Sequence, residues 1–309
     1  MSAKAILLMG PTASGKTDIA ISLCKRFPCD VISVDSALVY RGMDIGTAKP
    51  DAQTLLRTPH QLIDIRDPEE SYSAGDFVRD ARLAIDASIA KGRIPLLVGG
   101  TMMYFRALTR GIADLPAGDS RVRKAIDEEA SRLGWPAMHA ELMTADPVIA
   151  ARLNPNDSQR IQRALEVFRV SGKPLSAWQR EGELPTGGPD YIKVALQIEP
   201  RKVLHERIEQ RLANMIRLGF AAEVRTLRAR PGLTRNSSSM RSVGYRQFWT
   251  YLEGECSADE ARDRALYATR QLAKRQLTWL RSEQGVYLAD PLEARAIDTI
   301  SKHLADKLG

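Results

Sequence analysis

The order of apolar and polar positions divides the chain into two kinds of territory. Apolar runs at residues 5–9, 31–34, 62–65, 95–98 and 192–198 have the length and composition of buried strands. Segments with helical spacing of apolar residues lie between most of them. That alternation is the pattern of βα units laid on a parallel sheet. From about Asp114 to Gly188 the pattern changes to charged, helical sequence with no strand-like run. Leu115-Pro116-Ala117-Gly118 and Pro185-Thr186-Gly187-Gly188-Pro189 punctuate its two ends. The expected architecture is α/β, a parallel sheet flanked by helices. Residues 1–115 form the first part of the core, 116–190 a helical insertion, and 191–309 the completion of the core with basic C-terminal helices. Within the last part a long helical pattern covers 201–228, and a Gly/Ser-rich loop covers 231–240. The last strong helix starts at Ser257, where Glu260 three residues on makes a capping box, and runs to about Glu283.

Composition narrows the class. With 44% hydrophobic and 27% charged residues, the chain is ordinary for a soluble globular protein. No stretch approaches the length of a membrane span, and the N-terminus enters a strand with no signal-peptide pattern. Cys24, Cys29 and Cys256 are too few and too scattered for a disulfide framework or a zinc site, and read as free thiols. A cytoplasmic protein is expected. The net charge of +7 is compatible with nucleic acid or a phosphorylated substrate.

The chemistry begins where the first apolar run ends. Gly10-Pro11-Thr12-Ala13-Ser14-Gly15-Lys16-Thr17 is G-x-x-x-x-G-K-[ST] between a predicted strand and a predicted helix. Such a loop wraps a diphosphate or triphosphate with backbone N–H groups, Lys16 adds a charge, and the Thr17 hydroxyl can ligate Mg²⁺. An ordinary glycine-rich turn is the plain alternative. Two more predicted strands end in polar residues at the sheet edge where ligands bind. Ser33-Val34-Asp35-Ser36 delivers an acid suited to binding metal, to general-base work, or simply to capping the next segment. Leu97-Val98-Gly99-Gly100-Thr101 offers glycines for close backbone approach or for a tight turn. On the last helix, Tyr267, Arg270, Lys274, Thr278 and Arg281 form one stripe opposite Leu266, Ala273, Leu277 and Leu280. That stripe is either a solvated face or a surface that tracks phosphates. Further basic residues lie at 156–163 and 241–246, and three such clusters favour RNA over a small acceptor. No Asn-Lys-x-Asp guanine-reading motif occurs, which disfavours a GTPase switch.

Together these segments resemble the bacterial tRNA dimethylallyltransferases, also called tRNA isopentenyltransferases. The matching stretches are GPTASGKT from Gly10, ISVDSALVYRGMDIGTAKP from Ile32, PHQLIDIRDP from Pro59, YSAGDF from Tyr72, IPLLVGGTMMYF from Ile94, NPNDSQRIQRALEV from Asn154, SVGYRQ from Ser242 and TRQLAKRQLTWLR from Thr269. The resemblance implies transfer of a dimethylallyl group from dimethylallyl diphosphate to N6 of the adenine next to the tRNA anticodon. It implies Mg²⁺ as cofactor and a P-loop used as a diphosphate site. Asp35 takes the general-base position, with Lys16 and Thr17 at the diphosphate and Thr17 at the metal. Asp35, Ser36, Ala37, Leu38, Thr101 and Arg123 match tRNA-contacting positions. So do Gln159-Arg160-Ile161-Gln162-Arg163, Arg241-Ser242-Val243-Gly244-Tyr245-Arg246 and Lys274-Arg275-Gln276-Leu277-Thr278-Trp279-Leu280-Arg281. The insertion would pack against the anticodon stem, and the adenine would be flipped out of its stack. No membrane and no obligate protein partner are expected, hence a monomer. A small-molecule or nucleotide kinase, which would not require the basic helix, and a non-catalytic RNA-binding NTPase switch are the alternatives.

Overall fold

A computed structural model describes every residue except 1–2, 112, 114, 117 and 182–187. Ala117 and residues 185–187 of the predicted flanks lie outside the described residues. In chain order the elements are β1 (Lys4–Met9), α1 (Lys16–Cys24), β2 (Cys29–Val34), α2 (Ala52–Arg57), β3 (His60–Gln61), α3 (Ala74–Ala90), β4 (Ile94–Gly99) and α4 (Met102–Arg110). Helices α5 (Ser120–Leu133), α6 (Trp135–Ala145), α7 (Pro147–Ala150), α8 (Ser158–Ser171) and α9 (Leu175–Glu181) follow. The chain ends with β5 (Asp190–Leu196), α10 (Arg201–Arg217), α11 (Phe220–Arg228), α12 (Tyr245–Leu252), α13 (Ala258–Arg281), β6 (Val286–Ala289) and α14 (Ala296–Leu308).

The chain separates into two compact units, one of Met1–Arg106 with Gly188–Gly309, the other Ala107–Gly187. The first holds one six-stranded sheet in the order β3-β2-β4-β1-β5-β6, and every pairing in it is parallel. Strands β1, β2 and β4 are apolar on both faces because helices cover both sides of a parallel sheet. Ile6, Leu8, Val31, Leu96, Val98 and Val194 pack with Ile19, Leu23, Ile300 and Leu304 from α1 and α14. The second unit is helical and has its own core, in which Ile126, Met138, Leu142, Ile161, Leu165 and Leu175 meet.

Three sequence expectations are corrected. The apolar run at 62–65 is not a strand: Leu62 and Asp64 take left-handed backbone (φ 62° and 56°), which breaks an extended chain, and β3 is the two residues before it. The long helical pattern at 201–228 is two helices, interrupted at Leu218-Gly219, where Gly219 sits at φ 96°. The helix from Ser257 is not the last: β6 and α14 follow it. Its start is as expected, with Ser257 and Glu260 forming the reciprocal capping box.

Candidate active site

The phosphate loop, the Asp35 turn and the helices that hold them belong to the sheet-bearing unit. Strand β1 ends at Met9, and from Gly10 the chain loops over the head of α1. Ala13 and Gly15 adopt left-handed backbone (φ 62° and 85°), the kind of alternation that turns successive N–H groups toward one point. Lys16 opens α1 and folds back over the loop. Its Nζ donates to Gly10 O (2.9 Å) and Pro11 O (2.6 Å) and reaches Ser14 Oγ at 3.5 Å. The next residue, Thr17, is exposed at the helix head.

The neighbouring wall comes from β2 and β4, which run side by side with Val34 opposite Gly99. That register places Asp35-Ser36 beside Gly100-Thr101. Asp35 Oδ1 accepts from the N–H of Ala37 (2.8 Å) and Leu38 (3.3 Å), so the turn it caps also holds the carboxylate in place. The Thr101 hydroxyl accepts from Ser36 N–H (3.1 Å), and Thr101 N–H donates to Val34 O (3.2 Å). The paired glycines serve close approach to the protein itself. A Cβ at Gly99 would lie 1.9 Å from Val34 O, and one at Gly100 would lie 2.5 Å from Gln276 Nε2. Gln276, 8% exposed on α13, joins the two loops: its Oε1 accepts from Thr12 N–H (2.9 Å) and its Nε2 donates to Gly100 O (2.8 Å).

Two functional candidates escaped the sequence reading. Arg207 Nε donates to Ala13 O (2.9 Å) inside the phosphate loop, and an Arg211 terminal nitrogen donates to Thr47 O (3.0 Å). The available signal was their i, i+4 spacing on a helix that follows a strand of the sheet. Burial pulls the Lys16 ammonium from 10.5 down to about 7, the Arg211 cation adds to the drop, and the Asp35 carboxylate opposes it. Burial lowers Arg211 as well, again opposed by Asp35. Two desolvated cations and one carboxylate therefore share a single electrostatic field. A polyanion bound there relieves both the desolvation and the like-charge repulsion.

The 44–47 loop is anchored from α11. The Glu223 carboxylate accepts from the N–H groups of Asp44 (3.0 Å), Ile45 (2.6 Å) and Gly46 (3.1 Å) and from the Tyr245 hydroxyl (2.6 Å). Tyr245 is fully buried, so its side chain is committed to this anchor. Within the same predicted segment Arg241 and Arg246 are exposed, and Ser242 and Val243 are half-buried. On α13 Lys274, Arg275, Thr278 and Arg281 are exposed, whereas Gln276, Leu277 and Leu280 face the core. Arg270 departs from the free stripe by pairing with Glu209 (3.1 Å), and Arg106 lies over the Trp279 ring at 5.6 Å. Tyr267 stays in the stripe, exposed. In the helical unit Gln159 and Arg160 are exposed, Ile161 is core, Gln162 bonds Asp127 (2.6 Å), and Arg123 and Arg163 both pair with Glu166.

A parallel sheet whose first strand feeds a lysine-bearing loop at a helix head defines a P-loop-like α/β fold. Residues 38–283 match the family model described as IPP transferase, and the chain belongs to that family. A tRNA dimethylallyltransferase of Thiobacillus denitrificans is 54% identical over 305 residues, 97% of each chain. Among solved structures, the full-length tRNA isopentenylpyrophosphate transferase of Bacillus halodurans is 35% identical with a TM-score of 0.72, over 100% of this chain and 97% of that one. The tRNA delta(2)-isopentenylpyrophosphate transferase of Staphylococcus epidermidis is 30% identical with a TM-score of 0.70, over 98% and 99%. A eukaryotic dimethylallyltransferase acting on tRNA superposes with a TM-score of 0.80 at 27% identity, over 98% of this chain and 78% of that one.

Proposed function

We infer that this chain transfers the dimethylallyl group of dimethylallyl diphosphate to N6 of the adenine next to the anticodon in tRNA, releasing diphosphate. The observation that carries the reading is geometric: Lys16 folds over the phosphate loop, Arg207 holds that loop at Ala13 O, and the parallel strand β2 ends in an Asp35 carboxylate fixed by two N–H groups. Lys16 and Arg211 would offset the charge of a leaving diphosphate, and the carboxylate would take the proton an attacking amine loses. As the allylic C–O bond breaks, the loop N–H groups, Lys16 and Arg211 stabilise the departing oxygen. The C–N bond forms to N6, whose lone pair is otherwise delocalised into the ring, and Asp35 accepts the N6 proton. Asp35 is already oriented by the Ala37 and Leu38 N–H groups.

Among the described residues no group of three or more His, Cys, Asp or Glu can hold a metal. Mg²⁺ fits this donor set in another way, because it keeps waters and leans on substrate phosphates, with Thr17 as the protein ligand. Bound there, it supplies further charge neutralisation at the diphosphate. The exposed Lys274, Arg275 and Arg281, with Arg241 and Arg246, supply phosphate contacts for RNA. Phosphate loop, carboxylate and basic helix all come from one chain, so the reading needs no protein partner. Among the described residues no helix is long and apolar enough to cross a membrane.

The test is an assay without ATP: labelled dimethylallyl diphosphate, Mg²⁺ and unmodified tRNA, with label on adenine N6 counted. Transfer is expected, and Asp35→Ala is expected to lower it by about 10²–10⁴-fold while sparing tRNA binding. No label with a folded protein that phosphorylates a small acceptor would replace this reading by a kinase. Near-normal turnover of Asp35→Ala would remove Asp35 from the mechanism.

A further inference from the structure

We propose that Glu166 is a positioning residue for RNA binding: it clamps Arg123 and Arg163 into one preorganised pair that grips backbone phosphate on the helical unit. The proposal rests on tRNA being the substrate. Glu166 lies on α8 and is 1% exposed. An ionised carboxylate is costly at that depth unless donors surround it. Its Oε1 forms an ion pair with Arg123 (Nε at 2.8 Å) and accepts from Asp119 N–H (2.8 Å), and its Oε2 accepts from an Arg163 terminal nitrogen (2.8 Å). The other Arg163 terminal nitrogen donates to Pro116 O at 3.2 Å. The Arg123 guanidinium also lies against bare backbone, since a Cβ at Gly118 would sit 2.3 Å from one of its nitrogens. Both arginines are thus fixed by groups beneath them while their side chains remain 49% and 33% exposed.

The stoichiometry separates this cluster from a structural strap. Elsewhere in the same unit Arg169 bridges Glu129 (2.7 Å) and Glu141 (2.8 Å), one cation for two carboxylates. At Glu166 the ratio is reversed, and the pair keeps a surplus positive charge at a half-open surface. Among the described residues Arg123 has no ion-pair partner beyond Glu166. A planar guanidinium held in place matches phosphate oxygens in a fixed geometry, without re-ordering a long side chain on binding.

The test turns on a sign. If Glu166 acted on RNA only through its charge, Glu166→Gln would strengthen tRNA binding and steepen its salt dependence. The proposal requires the opposite: Kd for unmodified tRNA raised by about 5–50-fold, the cost of re-ordering two long side chains. The log–log salt slope should become shallower by about one to two. The kcat at saturating tRNA and the KM for dimethylallyl diphosphate should stay unchanged. Glu166→Asp, which keeps the charge but shortens the reach, and Gly118→Ala, which displaces the Arg123 guanidinium, are expected to weaken binding in the same direction. They decide the matter should the Gln variant fail to fold by circular dichroism. Binding at or tighter than wild type in these variants overturns the proposal, as does a fall in kcat with tRNA KM untouched. Wild-type protein that transfers no label to tRNA overturns the substrate reading instead.

Discussion

Gln276→Leu isolates the side chain that holds the two loops of the candidate site together. The substitution keeps approximate volume at a buried position and deletes both bridging bonds, at 2.9 Å to Thr12 N–H and 2.8 Å to Gly100 O. Gly100 O keeps a second donor, Met102 N–H at 3.0 Å, whereas the Thr12 N–H loses its partner, and a backbone group left unpaired away from water costs about 1–3 kcal/mol. A total of about 2 kcal/mol is expected. For a unit of this size that lowers Tm by roughly 4–8 °C. The functional consequence is separable from the stability loss. The Thr12 N–H belongs to the phosphate loop, so the KM for dimethylallyl diphosphate should rise well below the new Tm, with the KM for tRNA little changed. Gln276→Glu sharpens the test: it still accepts from Thr12 but sets a carboxylate against the Gly100 carbonyl and beneath the diphosphate, so its KM for the donor should exceed that of the Leu variant. Thermal denaturation and initial-rate kinetics on the three proteins suffice. A Leu variant within about 0.5 kcal/mol of the parent and with unchanged donor KM would refute the view of Gln276 as the joint between loops.

Two further outcomes follow from the same geometry. Because burial and Arg211 bring Lys16 down to about 7, the free site loses a positive charge above that pH, and anion binding must take the proton back. The Kd for the prenyl diphosphate should therefore be flat with respect to Lys16 below about pH 7 and climb by up to tenfold per unit above it. Lys16→Met should lack that alkaline limb, and a wild-type Kd that is flat from pH 7 to 9 would contradict the assignment. Gly99→Ala sets a methyl 1.9 Å from the Val34 carbonyl across two paired strands, so a loss of about 3 kcal/mol or more is expected in denaturant titrations. A loss under about 1 kcal/mol would mean that the sheet can part there.

The legible parts of the fold are those where local pattern and tertiary role agree. The apolar runs of β1, β2, β4 and β5 are buried strands, and Ser257 caps its helix with Glu260. The misread run at 62–65 has strand composition, yet its backbone is set by left-handed Leu62 and Asp64 and by Lys49, which reaches Asp64. Composition cannot reveal a tertiary tether of that kind. Strand β6 is short and only half-buried at the sheet edge, so it lacks the apolar run that marks the central strands. At the candidate site the phosphate loop and Asp35 were visible because each ends an apolar strand. Arg207 and Arg211 were not, and Gln276 was read only as one of a tRNA-contacting stretch, since long polar side chains on helices look alike until the fold shows which of them points inward.

The strand order also dictates how the molecule must be made. Strand β1 leaves the ribosome first, and its two neighbours are β4 and β5. The chain must grow from Met9 to Leu196 before the second flank is closed, roughly 10–40 s at ordinary rates of synthesis. The helical unit lies within that interval, and its core draws only on its own residues, from Ile126 to Leu175 among the fully buried ones. It can therefore mature while the first strand still waits with an open edge. The phosphate loop, hung from that strand, becomes competent only late in translation, after the chain has folded an entire subdomain between the two halves of its sheet.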